Sequence, residues 1–197
     1  MSQANPSSDG KQNAPQPAGR VAQSAGRVSP LPDIPGLGGA IAGLIGGAAM
    51  MIVGALLASS VGNDIWLEAL QIATMIYGPA ALTDLGIGPI IVGTLLHLLI
   101  SALFGAIFGI VSRRWLRLPS DYGMPVLIGM SYGIMIWLVA YFVVLPLVNP
   151  AMLTTYAPSF IIQNLVYGIV TGLVYTQLRP SPYARPDWER ALGSAAE

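Results

Sequence analysis

From Gly36 onward the chain alternates long apolar runs with short polar breaks. Four runs, 37–58, 90–111, 126–148 and 160–178, reach the roughly 20 apolar residues that a helix needs to cross a bilayer. In hydrocarbon every backbone polar group must be satisfied within the protein, and uninterrupted runs of this length favour helices over barrel strands. The last three runs carry their own stop signals: Arg113-Arg114-Trp115, Asn149-Pro150 and Arg179-Pro180. The pattern therefore predicts an all-α, polytopic membrane protein with four transmembrane helices in a domain spanning 36–179.

A fifth apolar stretch, 63–82, is interrupted differently. Asp64, Glu68, Gln71 and Thr74 recur at helical spacing and form one polar stripe on an otherwise apolar surface. That pattern predicts an amphipathic helix after the first span. It is expected to lie at the interface or fold back on the bundle, with the stripe facing water.

Charge sets the expected orientation. All nine basic residues fall in three segments: Lys11/Arg20/Arg27, Arg113/Arg114/Arg117 and Arg179/Arg185/Arg190. Juxtamembrane Lys and Arg stay on the cytoplasmic side, so three basic segments separated by base-free connections predict cytoplasmic N and C termini and an even number of spans. Residues 1–35 are rich in Ser, Gln, Asn, Pro and Gly and lack an apolar run, as expected of a disordered cytoplasmic tail. Residues 180–197 form the C-terminal cytoplasmic tail, and no cleavable leader is expected at the start of the chain. With 54% hydrophobic and 9% charged residues, the chain is too apolar for an ordinary soluble domain, in which about a quarter of residues are charged. Zero net charge and the distribution of the bases make nucleic acid an unsuitable partner, and the absence of cysteine excludes disulfides and thiolate metal sites.

The spans also resemble one another. His97-Leu98-Leu99-Ile100-Ser101 with Gly105 aligns with Asn164-Leu165-Val166-Tyr167-Gly168 with Gly172, and Gly43/Gly47 align with Gly129/Gly133. This alignment predicts two parallel two-helix repeats, the first lengthened by the 63–82 helix. Small residues recur every four positions on each span: Gly39, Gly43 and Gly47; Ser101, Gly105 and Gly109; Gly129 and Gly133; Gly168 and Gly172. Such stripes let backbones approach closely. They are expected to pack the bundle, the alternative being that the first-span stripe docks a partner or a second copy.

His97 is the only histidine, and at 1.5 Å per residue it lies about 24 Å from Arg113, near the bilayer midplane. Under the repeat it faces Asn164, flanked by Gln163 and Tyr167, so these four residues form the candidate intramembrane polar site. An interhelical hydrogen bond is the plain expectation, and a pigment or haem ligand the sharper one. The four runs contain no Asp, Glu, Lys or Arg and no nucleophile–base pair, so no catalytic residue, metal site or cofactor is expected. Asp64 and Glu68 are expected to be solvated. A cation shared by Glu68 and Asp84 is a weaker alternative, and the hydroxyls of Ser59-Ser60 and Thr154-Thr155 are expected to cap helix ends.

The mid-span His97 followed by Ser101, Gly105 and Gly109, the third span ending near Pro146, and Asn164-Leu-Val-Tyr-Gly168 in the fourth resemble the small four-span bacterial inner-membrane proteins typified by YagU. The resemblance implies a bacterial cytoplasmic-membrane location and this architecture across roughly 36–178. Members of that group often carry His where this chain has Asn164, so a two-histidine site is not implied here. Two functions are expected to compete. One is a non-enzymatic accessory or structural subunit that packs against other membrane proteins or itself. The other is a small oligomeric transporter or channel with its polar site around His97 and Asn164.

Overall fold

A computed structural model describes residues 34–83, 86–116, 123–154 and 157–179. Both tails, the loop between the second and third spans, Asp84 and Thr155 lie outside the described residues.

Among the described residues, four helices are long and apolar enough to cross a membrane. They begin with α1 (Leu37–Ser60) and, after a shorter helix α2 (Leu67–Tyr77) and a tight 3-10 turn (Gly78–Leu82), continue with α3 (Ile87–Val111). The third span is composite, comprising α4 (Met124–Val139), one wide π turn (Ala140–Val144) and a last turn α5 (Leu145–Val148). A 3-10 turn at Pro150–Thr154 leads to the fourth span, α6 (Ala157–Leu178). The protein is thus a multi-pass helical membrane protein.

Local chemistry sets the boundaries. At the end of α1, the Ser59 and Ser60 hydroxyls turn back to donate to the carbonyls of Leu56 and Leu57 at 2.9 and 2.7 Å, so both are satisfied by their own helix. Gly62, at φ 79°, then reverses the chain. In the third span, Pro146 has no N–H to return to the preceding turn, and the π turn just before it absorbs the mismatch without ending the span.

The helices form two hairpins. α1 lies along α3, α4 lies along α6, and the hairpins join where α1 meets α6. In the first hairpin a Cβ on Gly39 would overlap the Gly105 carbonyl, one on Gly43 the Ser101 carbonyl, and one on Gly47 the Ser101 side chain. In the second, a Cβ on Gly129 would overlap the Gly168 carbonyl, one on Gly133 the Asn164 carbonyl, and one on Gly172 the Pro125 carbonyl. Each hairpin is therefore backbone against backbone, held by dispersion and close Cα–carbonyl approach. The first-span stripe is consumed inside the bundle. It is not free to dock a partner.

The α1–α6 junction uses a stripe that sequence reasoning missed. Gly38, Ala42 and Gly46 are buried beside the first stripe. Gly46 sits against Thr171 and the backbone of Tyr167, and Gly38 against Arg179. The signal was present in the Gly38-Gly39, Ala42-Gly43 and Gly46-Gly47 doublets. Doublets every four residues leave two adjacent helix faces small.

Large apolar side chains point mostly outward, among them Ile52, Leu56, Ile87, Leu95, Leu99, Leu103, Phe142 and Leu147. Lipid is as apolar as these side chains, so nothing drives them inward.

Candidate functional site

Two polar regions can be built from the helices upward. The first lies mid-bundle around Ser101. Its backbone carbonyl adjoins Gly43 of α1 and accepts the Tyr167 hydroxyl of α6 at 2.7 Å. Two other tyrosines act alike: Tyr132 of α4 donates to the Phe104 carbonyl at 2.6 Å, and Tyr175 of α6 to the Gly109 carbonyl at 3.0 Å. A carbonyl has two lone pairs, so each accepts the tyrosine in addition to its helical N–H. Phe108 fills the space between these tyrosines, 5.0 Å from the Tyr132 ring and 5.6 Å edge-on to Tyr175.

His97 belongs to this region, but its partner is not the expected one. Its Nε2 lies 3.1 Å from the Gly47 carbonyl of α1. Because a carbonyl only accepts, Nε2 carries a proton. Asn164 is committed elsewhere: its Nδ2 donates to the Phe160 carbonyl of its own helix at 2.8 Å, and its backbone lies against Gly133. Each residue lines the seam of its own hairpin, and no hydrogen bond joins the two. The expectation that they face each other is thus corrected. The glycine stripes that bring the helices together put His97 against its hairpin partner α1, whereas the Asn164 side chain turns back on its own helix.

The second region lies at the end of the bundle opposite α1's N-terminus, beneath α2. The stripe expected to face water turns inward. Glu68 accepts from Gln163 Nε2 of α6 and adjoins Gly54 of α1, where a Cβ would overlap its carboxylate. Gln163, 1% exposed, also donates to Ser159 at 3.2 Å. Asn149 donates to the Gln71 backbone carbonyl at 3.0 Å, and the Thr74 hydroxyl lies 2.6 Å from that same carbonyl and 3.2 Å from Asn149 Oδ1. Only Asp64 stays exposed, receiving the Trp66 N–H at 2.7 Å. The exposed large apolar residues here are Ile65 and Trp66, just before α2, and Met75, Ile76 and Tyr77 in its last turn. Where the medium outside is apolar, a polar stripe does better against protein. The water-facing expectation carried over the rule for soluble helices.

α2 is held there by backbone approach, since a Cβ on Gly93 of α3 would overlap the Ala69 carbonyl. Its burial pushes the Glu68 carboxyl up to about 7, because desolvation outweighs the Gln163 hydrogen bond that favours the ionised form. A cleft between α1 and α2, lined by Met51, Ile52, Ala55, Ile65, Trp66, Glu68 and Ala69, opens beside this carboxylate.

Of the four predicted site residues, the structure therefore joins none to another by a hydrogen bond. Gln163 belongs to the α2 cluster, His97 and Asn164 to separate seams, and Tyr167 to the α3–α6 contact. Glu68 and Asn149 were missed as interior residues. The available signal was a carboxylate with no basic residue anywhere between positions 28 and 112. No group of three or more metal-ligating side chains occurs among the described residues. Comparison of the chain with protein families, with curated proteins and with solved structures finds no match.

Proposed function

We propose that the protein is a non-enzymatic accessory or structural subunit of a bacterial cytoplasmic membrane, packing against other membrane proteins. The observation that supports this reading is the commitment of the interior. The polar side chains His97, Tyr132 and Tyr167, and Tyr175 near the end of α6, each engage a backbone carbonyl, and the seams between are closed by glycine. Such a core holds helices in place.

The duplicated hairpin belongs to the same proposal, as does the kinship with YagU-like proteins. One constant shift carries Gly39, Gly43 and Gly47 onto Pro125, Gly129 and Gly133, and another carries His97, Ser101 and Gly105 onto Asn164, Gly168 and Gly172. Under those two shifts the contacts Gly39–Gly105, Gly43–Ser101 and Gly47–His97 become Pro125–Gly172, Gly129–Gly168 and Gly133–Asn164, each of which is present. The basic segments put both termini in the cytoplasm and α2 at the outer interface. Labelling of Thr155→Cys but not Ser120→Cys by an impermeant thiol reagent in intact cells is the expected outcome, and the reverse would overturn the orientation.

The subunit reading is tested by isolating the tagged full-length protein in mild detergent. It predicts a larger complex of fixed composition that dissociates when outward-facing Leu99 and Leu103 are replaced by polar residues. A monodisperse monomer, unaffected by those changes, would argue against it. One observation favours the second reading, a small transporter: the inward-facing Glu68, which moves that reading's centre from His97 and Asn164 to the Glu68–Gln163 pair.

A further inference from the structure

Glu68 presents a problem in charge. α1 carries no ionisable side chain, α6 faces the carboxylate with Gln163 and Ser159, and no Lys or Arg occurs between positions 28 and 112 or between 118 and 178. Of the other titratable groups nearby, Asp64 is exposed in the turn just before α2. His97 of α3 is engaged two turns along α1, at Gly47. A carboxylate withdrawn from water needs a cation or a proton. None of α1, α2, α3 and α6 carries a lysine or an arginine.

The surroundings indicate what kind of cation fits. The cleft beside Glu68 has walls of Met51, Ile52, Ala55, Ile65 and Ala69, so it suits an apolar body. Trp66 lies on the same cleft, and an indole face attracts cations. Among the described residues, one carboxylate without a cluster of further acidic or imidazole ligands is a poor match for a hard metal ion, which takes six or more oxygens, typically with several from protein. An anion is excluded by the carboxylate.

We infer that the α1–α2 cleft is a binding site for a lipophilic organic cation, whose charged centre pairs with Glu68 beside Trp66 while its apolar body lies along Met51, Ile52 and Ala55. This site goes beyond the subunit reading and does not depend on it, since a packing protein and a transporter alike can carry a ligand in this cleft. The proton is the competing occupant. With the Glu68 carboxyl pushed up to about 7, cation binding displaces a proton near neutral pH.

Tetraphenylphosphonium is a suitable probe because its charge does not titrate. Calorimetric titration of the purified full-length protein in a neutral detergent should show saturable binding that weakens about tenfold per pH unit below about pH 7, as one competing proton requires. Tetraphenylborate, of the same shape and opposite charge, should not bind. Glu68→Gln keeps the shape and the Gln163 contact and should lose at least about tenfold in affinity. Trp66→Ala should lose about two- to fivefold, and Asp64→Asn should change nothing. Should Glu68→Gln fail to fold, the pH dependence and the Trp66→Ala arm still decide the matter. Equal binding of the borate, pH-independent binding, or no saturable binding to folded wild type would each overturn the site. Loss of probe binding on adding phosphatidylethanolamine would assign the cleft to a lipid ammonium group and also overturn it. None of these outcomes bears on whether the protein travels in a larger complex.

Discussion

The two seams between the hairpins are built by opposite means. Where α1 meets α6 there is no side chain at Gly46, and the helices close until Thr171 and the Tyr167 backbone fill the gap. Where α3 meets α4 the connection is made by long side chains, with Tyr132 reaching the Phe104 carbonyl and its ring set at a tilt against Phe108. The shift that lays α1 over α4 puts Tyr132 at the place of Gly46. The difference follows from the doublets: α1 is small on two adjacent faces, whereas α4 has single glycines at Gly129 and Gly133. A helix with one small face can join one backbone closely. One with two can sit at the centre.

The largest expected effect is therefore at Gly46. Gly46→Leu should cost at least about 3 kcal/mol, because backbone and a buried threonine cannot yield as a flexible side chain would. Size-exclusion chromatography of a fluorescent fusion should then show little folded protein, while Tyr132→Leu, on the opposite seam, should remain folded. If the two variants behave alike, the seams are not distinct.

Glu68 tests the end of the bundle that only the first hairpin elaborates. Its folded-state value of about 7 lies above the ordinary 4.5. Its contribution to stability is thus full below the ordinary value and lost as pH rises through the folded one. Thermal midpoints of wild type should fall between about pH 5 and about pH 8, and Glu68→Gln should flatten the curve and lie above wild type at the alkaline end. A wild-type midpoint that rises over this range would show the carboxylate to be better compensated than its surroundings imply.

Smaller effects belong to the tyrosines. Tyr132→Phe and Tyr167→Phe each remove one hydroxyl–carbonyl bond and should cost about 0.5–1.5 kcal/mol in reversible unfolding from detergent. The Tyr167 change should be the larger, since that ring is 3% exposed and no water can replace its bond. The smallest effect is a null one. His97→Ala and Asn164→Ala should be additive to within about 0.5 kcal/mol, as residues on separate seams are. A coupling well above that would restore the facing pair and join the hairpins through polar contact.

The sequence carried most of the architecture. Spans expected at 37–58, 90–111, 126–148 and 160–178 appear as Leu37–Ser60, Ile87–Arg114, Met124–Val148 and Ala157–Leu178. The π turn ahead of Pro146 could not be located from the residues, because apolar runs look alike whichever way the turn is wound. Of the polar residues, the sequence marked Gln163 and Tyr167 as interior. It gave the wrong partner for His97, since helical spacing fixes which face a side chain is on but not which neighbour covers that face.

Hydropathy and charge act locally, one segment against its solvent, so they mark by themselves the four helices long and apolar enough to cross a membrane and, to within a few residues, their limits. Which helices touch, and whether α2 shows its carboxylate to water or to Gln163, depend on surfaces brought together from distant parts of the chain. Those were decided by the tertiary structure. Close approach at glycine is short-ranged and shape-dependent, and no single segment contains both sides of the fit.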